Sequence, residues 1–170
     1  MEAIQPRLPG ATRMKTLIVF YSRTGCTRAV AQALAAQLGA DTEELKETAD
    51  RSGPKGYLLA GRDAMQKRSA VLLPTTRLPA DYDLVIVATP VWAFTMCPAI
   101  RTWLLRETAQ LRRAAFLCTQ GGSGAERTMR EMAQIIGRPA VARLVLRDKD
   151  IRAKGCADAL AAFAAECRKI

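Results

Sequence analysis

Four times along this chain a short, uninterrupted apolar run gives way to apolar residues at helical spacing, and no other feature constrains the fold as strongly. Thr16, Leu17, Ile18, Val19 and Phe20 form the first run, rich in β-branched side chains and without polar alternation. Such a run suits a strand buried on both faces, in the middle of a parallel sheet. Val30, Ala31, Leu34 and Leu38 then recur at helical spacing, and Gly39 supplies a stop. The second unit runs from Leu84 to Ala88, through a loop, into a helix opened by Pro98 and continuing to about Leu105. In the third, Ala115, Phe116, Leu117 and Cys118 precede a Gly-rich turn and a helix with Met129, Met132, Ala133 and Ile136 on one face, ended by Gly137. The fourth joins Val141–Leu146 to Leu160, Phe163, Ala164 and Cys167. A weaker strand near Thr42 to Leu45 and a helix from about Pro54 to Arg68 lie between the first and second units.

This alternation predicts a parallel sheet covered by helices on both faces and joined by right-handed crossovers. Five strands and five helices in this sequence fit an α/β doubly wound five-stranded parallel sheet of order 2-1-3-4-5. Its ligand site should lie at the carboxyl ends of the strands, beside the switch point between strands 1 and 3. The loops that matter begin near Tyr21, Thr89 and Thr119. Residues 14–170 make up this one domain, a length of 170 residues in all being ordinary for one. Residues 1–13, with Pro6, Pro9 and Gly10 and no periodicity, are expected to form a disordered extension.

Composition removes several classes of function. No histidine is present, which excludes Ser-His and Cys-His nucleophilic chemistry and removes the commonest metal ligand. The five cysteines (Cys26, Cys97, Cys118, Cys156 and Cys167) include no C-x-x-C pair, so neither a disulfide framework nor a zinc site fits them. No metal site and no catalytic side chain are expected. Hydrophobic residues at 49% and charged residues at 25% are those of a globular chain, and no apolar run reaches the roughly 18 to 20 residues of a membrane span. The expectation is a soluble, cytoplasmic protein. Twenty-six Lys and Arg against 16 Asp and Glu leave a formal charge of +10. The excess is dispersed and interleaved with acids, without a polybasic tail or an RNA-binding aromatic motif, so a basic surface without nucleic acid is expected.

The first loop, Ser22-Arg23-Thr24-Gly25-Cys26-Thr27, leads straight into a helix. Its hydroxyls, its glycine and the free amides of the helix amino terminus would suit a phosphate, although an ordinary Ser/Thr-rich cap would look the same. It lacks the lysine and spacing of a P-loop. In the second loop, Thr89-Pro90-Val91-Trp92-Ala93-Phe94, an exposed Trp92 would call for a flat partner unless it folds onto the domain's own surface. The third, Thr119-Gln120-Gly121-Gly122-Ser123-Gly124, would let backbone approach a ring closely, or serve as a plain turn. It is no dinucleotide fingerprint, because Arg127 stands where the third glycine of G-x-G-x-x-G belongs.

Taken together, the three loops resemble those of the flavodoxin family, in its short-chain form. Ser22–Thr27 is similar to the S/T-x-T-G-x-T loop that holds the phosphate of FMN in that family. Thr89–Phe94 resembles its T-P-x-(Trp/Tyr) loop beside the flavin ring, and Thr119–Gly124 its Gly-rich loop on the ring's other side. The resemblance covers about residues 14–168 and implies FMN as cofactor, with these three loops as its binding residues. It implies an FMN-binding redox protein, here expected to be an FMN-dependent oxidoreductase passing electrons from NAD(P)H or a redox partner to a quinone-like or protein acceptor. The basic balance, which would attract an anionic pyridine nucleotide, favours that over a one-electron carrier. A flavin-free interaction module is the remaining alternative, and a homodimer is compatible with any of them.

Overall fold

The computed structural model describes residues 14–170, so the extension expected over residues 1–13 lies outside the described residues. In chain order the elements are β1 (Thr16–Phe20), α1 (Cys26–Leu38), β2 (Asp41–Glu44), α2 (Gly53–Met65), β3 (Leu84–Trp92) and β4 (Thr95–Met96). After them come α3 (Pro98–Glu107), β5 (Ala114–Gln120), α4 (Ala125–Ile136), β6 (Arg143–Arg147), α5 (Asp148–Arg152) and α6 (Ala157–Arg168). The parallel strands lie in the order β2-β1-β3-β5-β6, which is 2-1-3-4-5 once the two-residue β4 is set aside.

The alternation of side chains along a strand explains the two layers. Leu17 and Val19 of β1 point into one core with Val85, Val87 and Phe116, beneath Ile100 and Trp103 of α3 and Met129 and Met132 of α4. Ile18 and Phe20 point the other way, joining Ile86, Leu117, Val30 and Leu34 of α1 and Leu160 and Phe163 of α6. Leu17, Ile18, Leu34 and Phe116 are fully buried, and truncating one such Leu or Ile to Ala costs roughly 2 to 5 kcal/mol. The central strands β1, β3 and β5 are apolar along their buried stretches because both of their faces are covered. At one edge β6 exposes Arg143 and Arg147, and at the other β2 is more polar still. There β2 carries Asp41, Glu43 and Glu44, which accept hydrogen bonds from Tyr82, Thr76 and Arg28.

Two features depart from the sequence-based reading. β3 continues beyond Ala88 to Trp92 and folds back as β4, where a loop was expected from Thr89 to Pro98. The five-residue α5 also lies between β6 and α6. Neither segment is long enough for hydrophobic periodicity to register. No helix among the described residues is long and apolar enough to cross a membrane.

Candidate functional site

The carboxyl ends of β1, β3 and β5 open into a cleft of about 490 Å³, at the switch point beside β1 and β3. Its floor is the β1–α1 loop. Gly25 turns the chain into α1 with φ 93°, a left-handed conformation that residues with a Cβ seldom adopt. Its N–H donates to Ser22 Oγ over 3.1 Å. No side chain among the described residues caps α1, whose first-turn amides have no intrahelical acceptor and lie at the positive end of the helix dipole. Thr24 is exposed beside these amides, whereas Thr27 is buried and shares a 2.8 Å hydrogen bond between its Oγ1 and that of Thr119. That bond ties the start of α1 to the end of β5.

The wall after β3 is a two-residue hairpin with Trp92 opposite Thr95. Both turn residues are left-handed without being glycine, Ala93 at φ 46° and Phe94 at φ 65°. A hairpin this tight requires positive φ at both positions, and each non-glycine residue placed there costs about 1 to 2 kcal/mol. Buried polar clusters brace the strained turn on both sides. On one side Tyr21 meets Trp92 edge-on, with centroids 5.5 Å apart, and the Arg51 guanidinium stands 5.7 Å from the Trp92 ring centre. Arg51 itself donates to Glu47 at 2.5 Å and to Asp63 at 3.0 Å. Burial first, and then the Glu47 carboxylate, push the Tyr21 hydroxyl well above its ordinary range, so it stays protonated.

On the other side Arg101, only 7% exposed, donates to Thr95 Oγ1 and to Glu131 Oε2, each over 2.8 Å. Burial alone would raise the Glu131 carboxyl, but the hydrogen bonds from Thr95 and Arg101 and the nearby cations hold it below the usual carboxylate range. At the base of the hairpin Cys97 N–H donates to Thr89 Oγ1, and burial pushes the Cys97 thiol up to about 12.

The third turn completes the site. Gln120 Oε1 accepts from Ala125 N–H over 3.0 Å and so caps α4. Gly121 lies on the cleft wall, near the carboxylate of Asp148. Gly124, at φ 110°, is closed over by the hairpin tip, since a Cβ there would sit 2.7 Å from the Phe94 Cα. A methyl group at this one position would drive the second and third turns apart.

Most of the residues singled out in the sequence meet in the cleft. Arg23, Thr24, Cys26 and Thr27 line its floor, Pro90, Val91, Trp92 and Ala93 one wall, and Thr119 and Gly121 the back. Ser22, Gly25, Thr89 and Gln120 stand behind that surface and shape the turns. Phe94, Gly122, Ser123 and Gly124 lie beyond the lining, and Phe94 is 58% exposed at the rim.

Sequence reasoning missed the opposite wall, which α2 supplies through Tyr57, Leu58, Ala60, Gly61, Arg62 and Met65. The signal was present in two glycines inside a helix, where Ala is favoured by about 1 kcal/mol. A Cβ on Gly56 would sit 2.2 Å from the Arg51 carbonyl carbon, whereas Gly61 faces open space in the cleft. Arg23 reaches across the cleft to Tyr57, its guanidinium 5.1 Å from the ring centre. The site therefore combines a cationic, amide-rich floor with two apolar walls that would accept a flat body.

A family model described as Flavodoxin matches residues 15–144. A flavoprotein from Lactobacillus acidophilus, solved in complex with FMN, superposes with a TM-score of 0.65 at 23% identity, covering 83% of this chain and 97% of that one. The flavodoxin of Streptococcus pneumonia TIGR4 gives 0.56 at 18% identity over 91% and 99% of the two chains. The two-electron reduced flavodoxin of Megasphaera elsdenii gives 0.58 at 13% over the same shares. No curated protein matches the sequence significantly. At these identities the structural likenesses speak for the fold.

Proposed function

The chain belongs to the flavodoxin family, and on that premise we propose that its cleft binds FMN and that the protein is an FMN-dependent redox protein. The observation that carries this reading is one cleft of about 490 Å³ that joins the uncapped amino end of α1 to a wall bearing Trp92. The residues present fit the group. The loop Ser22–Thr27 would hold the phosphate through first-turn amides and the Thr24 hydroxyl, with Arg23 supplying positive charge. Pro90, Val91, Trp92 and Ala93 would wall one side of the ring, and Gly121 leaves its backbone open to close approach. Thr89, Phe94, Gln120, Gly122, Ser123 and Gly124 would set the shape of those two turns. When bound, FMN supplies the electron chemistry, taking up and passing on electrons at its ring system. The protein's own part is to bind, orient and keep water from one face, which requires no side-chain acid or base.

The electron donor in this reading is NAD(P)H or a redox protein, and the acceptor a quinone-like molecule or a second protein. Arg23 and Arg62 on the cleft wall and the net charge of +10 support an anionic donor over a purely one-electron carrier role. FMN titration followed by flavin fluorescence tests the cofactor. Saturable one-to-one quenching is expected, and its absence would leave a flavin-free module. Anaerobic addition of NADH or NADPH to the loaded protein, followed by a quinone, then tests the turnover. Bleaching of the flavin band and its return on quinone addition are expected. A band that bleaches only with a reduced protein donor would instead favour the carrier.

A further inference from the structure

We infer that the mouth of the cleft is a docking surface for an acidic protein. Helix α2 buries only Gly56, Ala60 and Ala64; Tyr57, Leu58 and Met65, at 64, 71 and 66% exposure, face the cleft, and Leu59, 41% exposed, stands outside its lining. Across the opening Phe94, 58% exposed, is held at the tip of the strained hairpin. Large apolar side chains are seldom gathered on a free surface without a partner. A ligand in the cleft would cover Tyr57, Leu58 and Met65 but not Leu59 and Phe94, which stand outside the lining. Leu59 on the helix and Phe94 on the hairpin therefore carry exposed apolar surface beyond the cleft.

Charge identifies the occupant. Lys55, Arg62, Lys67 and Arg68 are all exposed on α2 and the turn that follows. The single acid in that stretch, Asp63, has its carboxylate committed to Arg51 and Arg62, with Arg68 at 3.9 Å. Lys67 reaches Glu131 only at 3.8 Å, and Glu131 already serves Arg101 and Arg127. Exposed pairs of this kind contribute little, so the helix keeps a positive field around its apolar stripe. An apolar centre inside a charged rim suits a partner of opposite sign, in an encounter of the small, salt-sensitive kind that redox proteins make. The redox reading above explains why such a partner would come to this mouth, but the docking itself does not require bound flavin.

The test uses the full chain, first without flavin and then loaded. An acidic [2Fe–2S] ferredoxin in its oxidised state is the probe, and basic cytochrome c is its opposite-charge control. Calorimetry should detect ferredoxin but not cytochrome c, with affinity falling about tenfold or more between low and physiological salt. Amide shifts should be confined to α2 and the hairpin. Arg62→Glu with Lys67→Glu should weaken ferredoxin about tenfold or more, and Leu58→Ser at the cleft mouth by about fivefold. Phe94→Ser should behave like Leu58→Ser. Shifts spread over the whole surface, or affinity indifferent to Leu58→Ser and Phe94→Ser, would overturn the docking site. A dimer in sedimentation that Leu58→Ser dissociates would overturn the acidic partner in favour of a second copy. Absence of FMN binding with docking intact would instead defeat the cofactor reading and leave this one standing.

Discussion

The floor of the cleft, Ser22–Thr27, is made of backbone, while its hairpin wall, Thr89–Cys97, is held up by side chains from distant parts of the chain. At the floor a glycine turn, one hydroxyl cap and an uncapped helix end present the amides within six residues, with a side-chain tie from Thr27 to the distant Thr119. The hairpin carries two left-handed non-glycine residues and leans on Arg51, Glu47 and Tyr21 to one side and on Arg101 and Glu131 to the other. An anion can be met by local geometry, because every peptide unit carries the needed dipole. A rigid wall for a planar ring cannot, because strain persists only where surrounding structure over-determines it.

The contrast is most directly broken at Arg101. Its removal, as Arg101→Met, takes the closest cation from the half-buried Glu131 carboxylate, which keeps Thr95 and Arg127, and should cost about 1.5 to 3 kcal/mol, the worth of a hydrogen bond to a charged group. That corresponds to a fall in Tm of roughly 3 to 12 °C in thermal unfolding. Arg101 Nε is buried without a partner, so the brace is imperfectly satisfied, and Arg101→Met with Glu131→Leu should recover most of the loss. A double variant as unstable as the single one would show that the pair does more than support the hairpin.

Trp92→Ala should act on both properties at once. The sequence leaves Trp92 either awaiting a flat partner or folded onto the domain's own surface. With Tyr21 and Arg51 packed on it, the substitution should destabilise the apoprotein by about 1 to 3 kcal/mol and weaken FMN by a similar amount. Chemical unfolding and a flavin titration measure the two losses separately.

At the floor the two threonines should part company. Thr24→Val should weaken FMN by about 1.5 to 3 kcal/mol, the worth of a hydrogen bond to a charged group, and leave riboflavin and stability alone. Thr27→Val should mainly lower stability, by about 1 kcal/mol, because its hydroxyl is spent on Thr119. Equal losses for FMN and riboflavin in Thr24→Val would remove the phosphate from this loop.

Acid provides a further test of the brace. The folded-state Glu131 carboxyl lies below its ordinary 4.5, so its contribution to stability is complete above that pH and is lost as pH falls through the depressed value. Glu131→Gln should therefore flatten the acid limb of stability against pH without changing its shape near neutrality. The smallest effect should come from Ala93→Gly. Relief of the left-handed strain, partly offset by the greater freedom of the unfolded glycine, should raise stability by about 0.5 to 1 kcal/mol. A loss of stability on Ala93→Gly would mean that the Ala93 methyl makes contacts outweighing the strain.

The strand runs and helix stripes were legible because burial on one or two faces writes itself into residues close in sequence. The core positions Leu17, Val30, Leu34, Met129 and Phe163 all follow from that rule. The phosphate loop was legible for the same reason of locality. The α2 wall was not, because its cleft-facing residues, Tyr57, Leu58 and Met65, break the stripe a packed helix should show, and a broken stripe points to no particular neighbour.

What the sequence by itself determined is the alternation of strand and helix, hence the doubly wound sheet, its switch point and the loops that gather there. Only the tertiary structure decided how those loops are held. It paired Thr27 with Thr119, 92 residues away, seated Phe94 on Gly124, and brought Arg51 beneath Trp92. Hydrophobic burial is a property of each segment and leaves a periodic trace in it. Hydrogen bonds, ion pairs and close backbone approaches join single atoms of segments that are remote in the chain, and nothing periodic records them.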